Sequence, residues 1–252
     1  MADWNDTEQR RPGFGTVPRA GDAVARAETF DAGLRKHMLS IYNYMTSGVL
    51  LTGIVAMLFS RGGTESMAYS LMTNGGLLYW LVALAPLGFV LAMSFGLNKM
   101  SRGTLQVLFW AFAVVMGLSI SSIFLMFTPE SIAVTFFATA GAFAGLSLFG
   151  YTTQKDLSGF GTFLIMGVVG LIIASIANIW LGSSTLNLAI SFLGVLIFAG
   201  LTAYDTQRLK REYEYLRGTE FAGKAIIMGA LSLYLDFINM FMFLLQFLGS
   251  RE

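Results

Sequence analysis

The sequence predicts an all-α membrane protein with seven transmembrane helices. Only 12% of its 252 residues are charged, whereas soluble domains carry about 25%, and the mean hydropathy is +0.66. The charges are also unevenly distributed, because residues 1–37 hold 12 of the 31 charged side chains and five stretches of at least 23 residues hold none. A helix at the surface of a soluble protein needs a polar face. These stretches have no such face, and we therefore expect them to lie in a lipid bilayer.

The span boundaries follow from the charge-free intervals, since about 20 apolar residues cross the hydrocarbon core. The turn-like residues 74–76, Asn-Gly-Gly, come directly before the second span. The interval 157–204 is 48 residues long, which is enough for two crossings with a hinge at residues 182–184, Gly-Ser-Ser. Gly141 and Gly145 match the GxxxG pattern of close helix contacts. The predicted spans are residues 38–60, 77–97, 103–128, 131–152, 158–181, 186–207 and 226–248.

Residues 1–35 are predicted to be a flexible cytoplasmic tail, ahead of a transmembrane domain that covers residues 36–252. Proline and glycine residues break any helical periodicity in the tail, and mixed charges keep it solvated. These helix breakers are Pro12, Gly13, Gly15, Pro18 and Gly21. A short amphipathic segment, residues 23–34, is a candidate for a helix on the membrane surface.

The positive-inside rule predicts the orientation of the chain. With the N-terminus in the cytoplasm, 14 of the 16 Lys and Arg residues fall on the cytoplasmic side. Only Arg61 and Arg251 then lie outside. The bias holds in the short loops as well as in the tail. We therefore expect a cytoplasmic N-terminus and a C-terminus on the outer side of the membrane.

Composition also excludes several kinds of function. A net charge of +1 gives no basic surface for nucleic acid. The absence of cysteine excludes disulfides, thiolate catalysis and Cys-ligated metals, and a single histidine, His37, excludes a multi-His metal centre. The sequence holds no Ser–His or metal-ligand constellation typical of a membrane enzyme. We therefore expect neither an enzyme nor a bound cofactor, apart from a transient Ca²⁺.

Asp236 is the most informative residue, because it lies in the middle of the seventh predicted span. An acid there costs about 2.5–3.5 kcal/mol on insertion scales, and such a residue nearly always faces a bundle interior or a water path. Ser232, Asp236, Asn239 and Gln246 fall within about 40° of one helical line at about 100° per residue, so the span carries one polar stripe. A role in permeation or sensing is favoured. The alternative is a protonated, hydrogen-bonded residue that fixes helix packing.

Asp205 has two interpretations. It ends the sixth predicted span, where an acid is disfavoured by the helix macrodipole. If the helix continues through Arg208, Asp205 instead lies about one turn inside the interface. The sequence leaves open whether Asp205 acts together with Asp236 or is an interfacial residue paired with Arg208.

Two segments that contain these acids resemble the Bax inhibitor-1 family, close to its bacterial inner-membrane branch. They are residues 198–207, Phe-Ala-Gly-Leu-Thr-Ala-Tyr-Asp-Thr-Gln, and residues 231–239, Leu-Ser-Leu-Tyr-Leu-Asp-Phe-Ile-Asn. Residues 117–124, Gly-Leu-Ser-Ile-Ser-Ser-Ile-Phe, and 150–153, Gly-Tyr-Thr-Thr, fit the same pattern. The resemblance covers about residues 30–250. It implies a bundle in which the last helix is central and six others surround it, in a cell inner membrane.

The resemblance also implies a pH-sensitive calcium leak, in which Asp205 and Asp236 form a hydrogen-bonded pair that senses pH, gates the pore and offers oxygen ligands to Ca²⁺. Some relatives supply a basic partner from the second span, but residues 66–98 here are uncharged. The candidate cationic partners are therefore Lys99 and Arg208. Many members also carry an acid where this chain has Met116.

Two functions are therefore expected from the sequence. The first is a pH-gated cation leak whose path is lined by polar residues, the candidates being Ser119, Ser122, Ser232, Asn239 and Gln246. For the serines, ordinary helix packing is the favoured alternative, because small hydroxyl residues commonly line helix contacts. The second is a non-conducting regulator that binds other membrane proteins, in stress protection or in membrane-protein turnover. Its candidate surface is the charged 208–224 loop, which includes Tyr213 and Tyr215.

Overall fold

The computed structural model of the protein describes the backbone of residues 20–251 and the side chains of residues 30–251. Over this range the chain is helical apart from short connections, and its one β-type pairing is an isolated bridge between Phe127 and Arg251. A 3₁₀ turn covers Gly63–Glu65. The α-helices are α1 (Ala20–Phe59), α2 (Met67–Asn74), α3 (Leu77–Gly96), α4 (Arg102–Ile120), α5 (Ile123–Met126), α6 (Pro129–Thr152), α7 (Ser158–Leu181), α8 (Ser184–Leu216) and α9 (Ala222–Leu248).

Seven helical segments in the described range are long and apolar enough to cross a membrane, which confirms the predicted fold class. Six of them lie within α1, α3, α6, α7, α8 and α9, and the seventh runs from α4 through α5. Their bounds are Phe30–Phe59, Leu77–Gly96, Arg102–Met126, Pro129–Thr152, Ser158–Leu181, Ser184–Leu216 and Ala222–Leu248.

The first helix begins earlier than the sequence analysis predicted. α1 starts at Ala20, so residues 20–35 of the predicted flexible tail, including the amphipathic segment 23–34, are helical. The cause is the run from Asp22 to Ala32, which contains no proline or glycine and is rich in good helix formers. Residues 1–19 of the predicted tail lie outside the described residues. The cytoplasmic position of the tail stays a prediction.

The chain divides between Lys36 and His37 into two units, and all contacts discussed below lie within the second unit. Polar caps define several helix ends there. Ser101, Thr128 and Ser183 each accept a hydrogen bond from the backbone N–H three residues on, as N-cap residues do. Gly182 ends α7 in the left-handed region, with φ of 58°, which glycine adopts without strain. The predicted hinge at residues 182–184 is thus the turn between α7 and α8.

The last helix is the most deeply buried of the seven spans. About 61% of the most apolar 18-residue segment of α9 is buried, compared with 11% to 39% for the corresponding segments of the other spans. α9 packs against α4, α6 and α8, and α8 in turn packs against α6 and α7. The expectation that six helices surround α9 stays a prediction. The burial places the middle of α9, which carries Asp236, in the protein interior.

The α6 backbone approaches the α8 backbone closely at Gly150. A methyl group on Gly150 would overlap the carbonyl oxygen of Ala203, two residues before Asp205. The GxxxG pair predicted to make a close contact behaves differently, because a Cβ on Gly141 or Gly145 would meet no atom within 4 Å. Both glycines are exposed, and the close approach lies one turn further along the same helix.

This difference predicts opposite effects for two alanine substitutions in α6. Gly150→Ala is expected to lower the free energy of unfolding by about 1–3 kcal/mol, the usual cost of overpacking. Alanine is a better helix former than glycine by about 1 kcal/mol, but we expect the overpacking to outweigh this gain. Gly145→Ala is the control and should keep or raise the melting temperature of the detergent-solubilised protein. Equal losses at both positions would contradict the close approach.

Candidate functional site

The α8–α9 contact brings together one aspartate from each helix and a serine between them. Asp205 and Asp236 are each only 5% exposed. The hydroxyl of Ser232, one turn before Asp236 on α9, donates a hydrogen bond to Asp205 Oδ2 at 2.5 Å. Asp205 therefore faces α9 and forms part of the contact between the last two helices.

The length of α8 explains why an acid is tolerated at position 205. The helix continues to Leu216, nine residues beyond the predicted end of the sixth span. Asp205 therefore lies three turns before the helix C-terminus, where the unfavourable field of the macrodipole has faded.

Arg208 is the cationic partner of Asp205 and comes from the same helix. Its Nη2 lies 3.3 Å from Asp205 Oδ2 and donates to Ser232 Oγ at 3.0 Å. Its Nε lies 3.5 Å from Glu212 Oε1, and its guanidinium lies 5.8 Å from the centre of the Tyr204 ring. One guanidinium thus contacts both helices at this site.

Lys99, the other predicted cationic partner, is exposed after the end of α3. It forms no ion pair with Asp205 or Asp236 within the described range. The lysine that does contact this region of α3 is Lys224, whose Nζ donates to the Leu97 carbonyl at 3.1 Å.

Asp236 has an unusual environment. Its Oδ2 is buried and has no hydrogen-bond partner among the described residues. The charged groups that act on it are those of Asp205 and Arg208. The side chain hydrogen-bonded to Asp205 is Ser232, so the direct carboxyl–carboxyl hydrogen bond implied by the resemblance is absent from this part of the chain. Ser232 and Arg208 instead share Asp205 Oδ2 as their acceptor or ion-pair partner.

The other predicted path residues are engaged in helix packing. Ser119 donates to the Ala83 carbonyl of α3 at 3.2 Å, and Ser122 lies with it around a small cavity between α2, α3 and α4. Asn239 donates to the Leu235 carbonyl of its own helix at 2.8 Å. No hydrogen bond joins any of the three to either aspartate in the described range.

The predicted polar stripe on α9 faces α8 at both of its ends. Ser232 contacts Asp205, and the Gln246 side-chain oxygen accepts a hydrogen bond from Ser191 Oγ at 3.3 Å. The stripe is therefore a feature of the α8–α9 contact, and Ser232 is the predicted path residue that touches an aspartate.

A buried tyrosine holds this part of α9 in place. Tyr234 lies between Ser232 and Asp236 in sequence, and its hydroxyl is 2.6 Å from Thr52 Oγ1 on α1. Thr52 also donates to the Ala113 carbonyl of α4 at 2.8 Å. Both side-chain hydroxyls of this network are buried and hydrogen-bonded, and such networks give a core a unique arrangement.

Sequence reasoning missed a second polar cluster on α8, which begins two residues after Asp205. Gln207 is buried, its Nε2 donates to the Lys155 carbonyl at 2.7 Å, and its Oε1 accepts from the Leu157 N–H at 2.9 Å. One turn later, Arg211 donates to Asp156 Oδ1 at 2.7 Å and to Ser158 Oγ at 3.1 Å. The signal in the sequence was Asp156, the one acid in the short turn between α6 and α7.

Asp156 lies between the spans, and its ionisation is strongly favoured. The backbone N–H of Ser158 and then the Arg211 guanidinium hold the pKa of the Asp156 carboxyl at about 2, below its ordinary value. Because this pKa is lowered, the stabilisation from the pair is present above about pH 4 and is lost as the pH falls through about 2. The charge on Asp156 is therefore unchanged between about pH 5 and pH 8.

The predicted 208–224 loop is mostly helical, which corrects the sequence analysis. The helix continues because no proline or glycine occurs between Arg208 and Arg217, so only residues 217–221 lie between α8 and α9. Tyr213 packs against His37 with ring centres 5.2 Å apart, whereas Tyr215 is 80% exposed.

No cluster of three or more His, Asp or Glu side chains suited to a metal occurs in the described range. Two aspartates and a serine hydroxyl supply fewer oxygens than the six to eight that Ca²⁺ takes in a stable site.

Comparison with known proteins identifies the family. The sequence model described as "Inhibitor of apoptosis-promoting Bax1" matches residues 34–252. An uncharacterised protein of Caulobacter vibrioides is 49% identical over 88% of this chain and 91% of its own length. The inner membrane protein YbhL of Escherichia coli is 45% identical over 88% of this chain and 94% of its own length. The motifs around Asp205 and Asp236, the seven apolar helices and these matches together show that the chain belongs to the Bax inhibitor-1 family.

Proposed function

We propose that this protein is a pH-sensitive cation leak of the cell inner membrane, permeable to calcium, with Asp205 and Asp236 as its sensor and gate. The proposed orientation has the N-terminus in the cytoplasm and the C-terminus outside. An inner-membrane location is supported by the name of the E. coli relative and by the seven apolar helices.

The observation that carries the proposal is the unpartnered oxygen of Asp236. This carboxyl lies in the middle of the most buried span, and its Oδ2 contacts no hydrogen-bond donor in the described range. An acid within a membrane span is energetically costly, nearly always faces a bundle interior or a water-filled cavity, and is a recognised marker of ion and proton pathways. A merely structural acid would be expected to have its hydrogen bonds satisfied.

The proposed gate is the α8–α9 contact itself. Two neighbouring carboxyl groups titrate as a coupled unit, and each proton lost adds negative charge where Asp205, Ser232 and Asp236 meet. That charge repels the two helices and leaves carboxylate oxygens available to a hard cation. Arg208 and Glu212 are the other charged groups at this contact, and Arg208 offsets part of the repulsion in the resting state.

Calcium flux into proteoliposomes between about pH 5 and pH 8 tests the proposal, since carboxyl pairs in proteins can titrate in this range. The parent protein is compared with Asp205→Asn and with Asp236→Asn, all with confirmed folded insertion. We expect a pH-dependent flux in the parent that each substitution makes insensitive to pH or abolishes. A parent flux equal to that of empty liposomes would rule out the leak.

The alternative function is a non-conducting regulator that binds other membrane proteins. It is favoured by the exposure of Tyr215 and of residues 217–221 at the turn between α8 and α9. Substitution of Tyr215 with alanine would then weaken capture of membrane proteins from native membranes. This function becomes the leading one if the parent protein conducts no ions.

A further inference from the structure

The turn between α6 and α7 is attached to α8 by the side chain of Gln207. The primary amide of Gln207 pairs with this turn as a backbone peptide would, donating to the Lys155 carbonyl and accepting from the Leu157 N–H. Its side-chain oxygen also accepts a hydrogen bond from Arg211. Every polar atom of a buried glutamine side chain is thus used in a contact with the turn or with its own helix.

Two basic residues extend the attachment to both helices that flank the turn. Lys210 Nζ donates to the Tyr151 carbonyl at 2.9 Å, in the last turn of α6. Arg211 contacts Asp156 and Ser158, where α7 begins. We call Asp156, Gln207, Lys210 and Arg211, with the backbone of residues 151–158 that they bind, the turn clamp.

The turn clamp and the aspartate site lie on neighbouring stripes of one helix. At about 100° per residue, Gln207 and Arg211 fall on one side of α8, and Asp205, Arg208 and Glu212 fall on the adjacent side. A rotation or shift of this part of α8 would therefore move the clamp residues and the aspartate site together. Close packing on the clamp side, where Ala203 meets Gly150 and Tyr204 meets Gly161, limits such movement.

We infer that Gln207 is a positioning residue for the gate: it clamps the α6–α7 turn to α8 and so fixes the orientation of α8 that places Asp205 against Ser232. The inference rests on the proposed function, because it assigns Gln207 a role in the same gate. The ion pair of the clamp does not respond to pH between about 5 and 8, since the pKa of Asp156 is held near 2. The clamp is thus a fixed support beside a pH-responsive contact.

A distance measurement between two spin labels tests the clamp without any flux. The chain contains no cysteine, so Gln154→Cys on the α6–α7 turn and Glu220→Cys on the α8–α9 turn give two unique, exposed labelling sites. Gln207→Met keeps the side-chain length and removes its hydrogen bonds, and Gln207→Glu keeps the acceptor but loses the donor to Lys155. Glu214→Gln, an exposed change on the same helix, is the matched control.

We expect Gln207→Met to broaden the distance distribution and Gln207→Glu to broaden it less. Each lost hydrogen bond should lower the equilibrium constant for attachment of the turn to α8 by about fivefold. Glu214→Gln should leave the distribution unchanged. An unchanged distribution in folded Gln207→Met protein would overturn the inference, whatever the flux.

The pH profile of the flux then tests whether the clamp positions the gate. Gln207→Met is expected to shift the pH midpoint of the calcium flux while Glu214→Gln retains the parent midpoint. A broadened distribution with an unshifted midpoint would overturn the positioning role. A broadened distribution together with a parent that conducts no ions would overturn the leak and the gating role with it, and would leave the clamp as a structural attachment.

Discussion

Replacing Asp236 with valine is expected to raise the thermal stability of the protein while it removes the pH dependence of the cation flux. The buried Oδ2 of Asp236 has no hydrogen-bond partner in the described chain, and an unsatisfied buried polar group costs about 1–3 kcal/mol. Valine is apolar and close to aspartate in size, so it removes that cost without opening a large cavity. A gain of 1 kcal/mol corresponds to about 2–4 °C in a chain of this size.

Asp236→Asn distinguishes the effect of losing the titratable charge from the effect of losing the polar group. Asparagine has nearly the same shape as aspartate and does not titrate, but its amide is still a polar group without a partner. Both substitutions should therefore abolish the pH response, whereas only valine should raise the melting temperature in detergent. A lower melting temperature in Asp236→Val would indicate that a bound water or ion satisfies the carboxyl group. The proposal that Asp236 is kept for its function at a cost in stability would then lose its main support.

The fold could be predicted from the sequence because each membrane span is a continuous stretch of the chain. Each span is a long interval without charge, and any helix that lacks a polar face must be covered by lipid or protein. The turn at Gly182 and the interior location of Asp236 follow from the same reasoning and agree with the structure. These features depend on residues that are close together in sequence.

The site was predicted only in part because its contacts join distant segments. Charge patterning suggested Arg208 as a partner of Asp205, since residues three apart on a helix are neighbours. Nothing in the sequence separated Ser232 from the other serines as the residue that touches Asp205. The attachment of Gln207 to the α6–α7 turn spans about 50 residues, and a lone glutamine near a membrane boundary has no pattern that identifies its partner.

Helix ends and glycine contacts were the other source of error. The sequence predicts that the sixth span ends at residue 207, just before the charged run that starts at Arg208. Lys, Arg and Glu are nevertheless good helix formers, and α8 continues to Leu216. Gly141 and Gly145 matched a packing motif but face outward, whereas Gly150 makes the close approach. A spacing of four residues defines a helix face without defining which neighbour it meets.

Removal of Arg208 is expected to destabilise the protein strongly, unless Asp205 is neutralised as well. Asp205 is 7% exposed on its side chain and Arg208 is 37% exposed. Breaking a fully buried pair by removing one partner costs about 3–5 kcal/mol. Because the arginine is partly exposed, solvent screens the pair and we expect about 1–3 kcal/mol for Arg208→Gln. Glu212→Gln, which removes the more exposed contact of the same guanidinium, should cost less than about 1 kcal/mol.

The double substitution Arg208→Gln with Asp205→Asn isolates the interaction between the two side chains. Once both charges are absent, no buried carboxylate is left unpaired, so the double variant should be more stable than Arg208→Gln alone. The interaction free energy from thermal unfolding of the four proteins is expected to be about 1–3 kcal/mol, within the range for residues in contact. Strictly additive effects would mean that the two charges do not stabilise each other, and Arg208 would then have no electrostatic role at the α8–α9 contact. A substantial interaction would instead show that Arg208 stabilises the Asp205 carboxylate on α8, which accepts the hydrogen bond from Ser232 of α9.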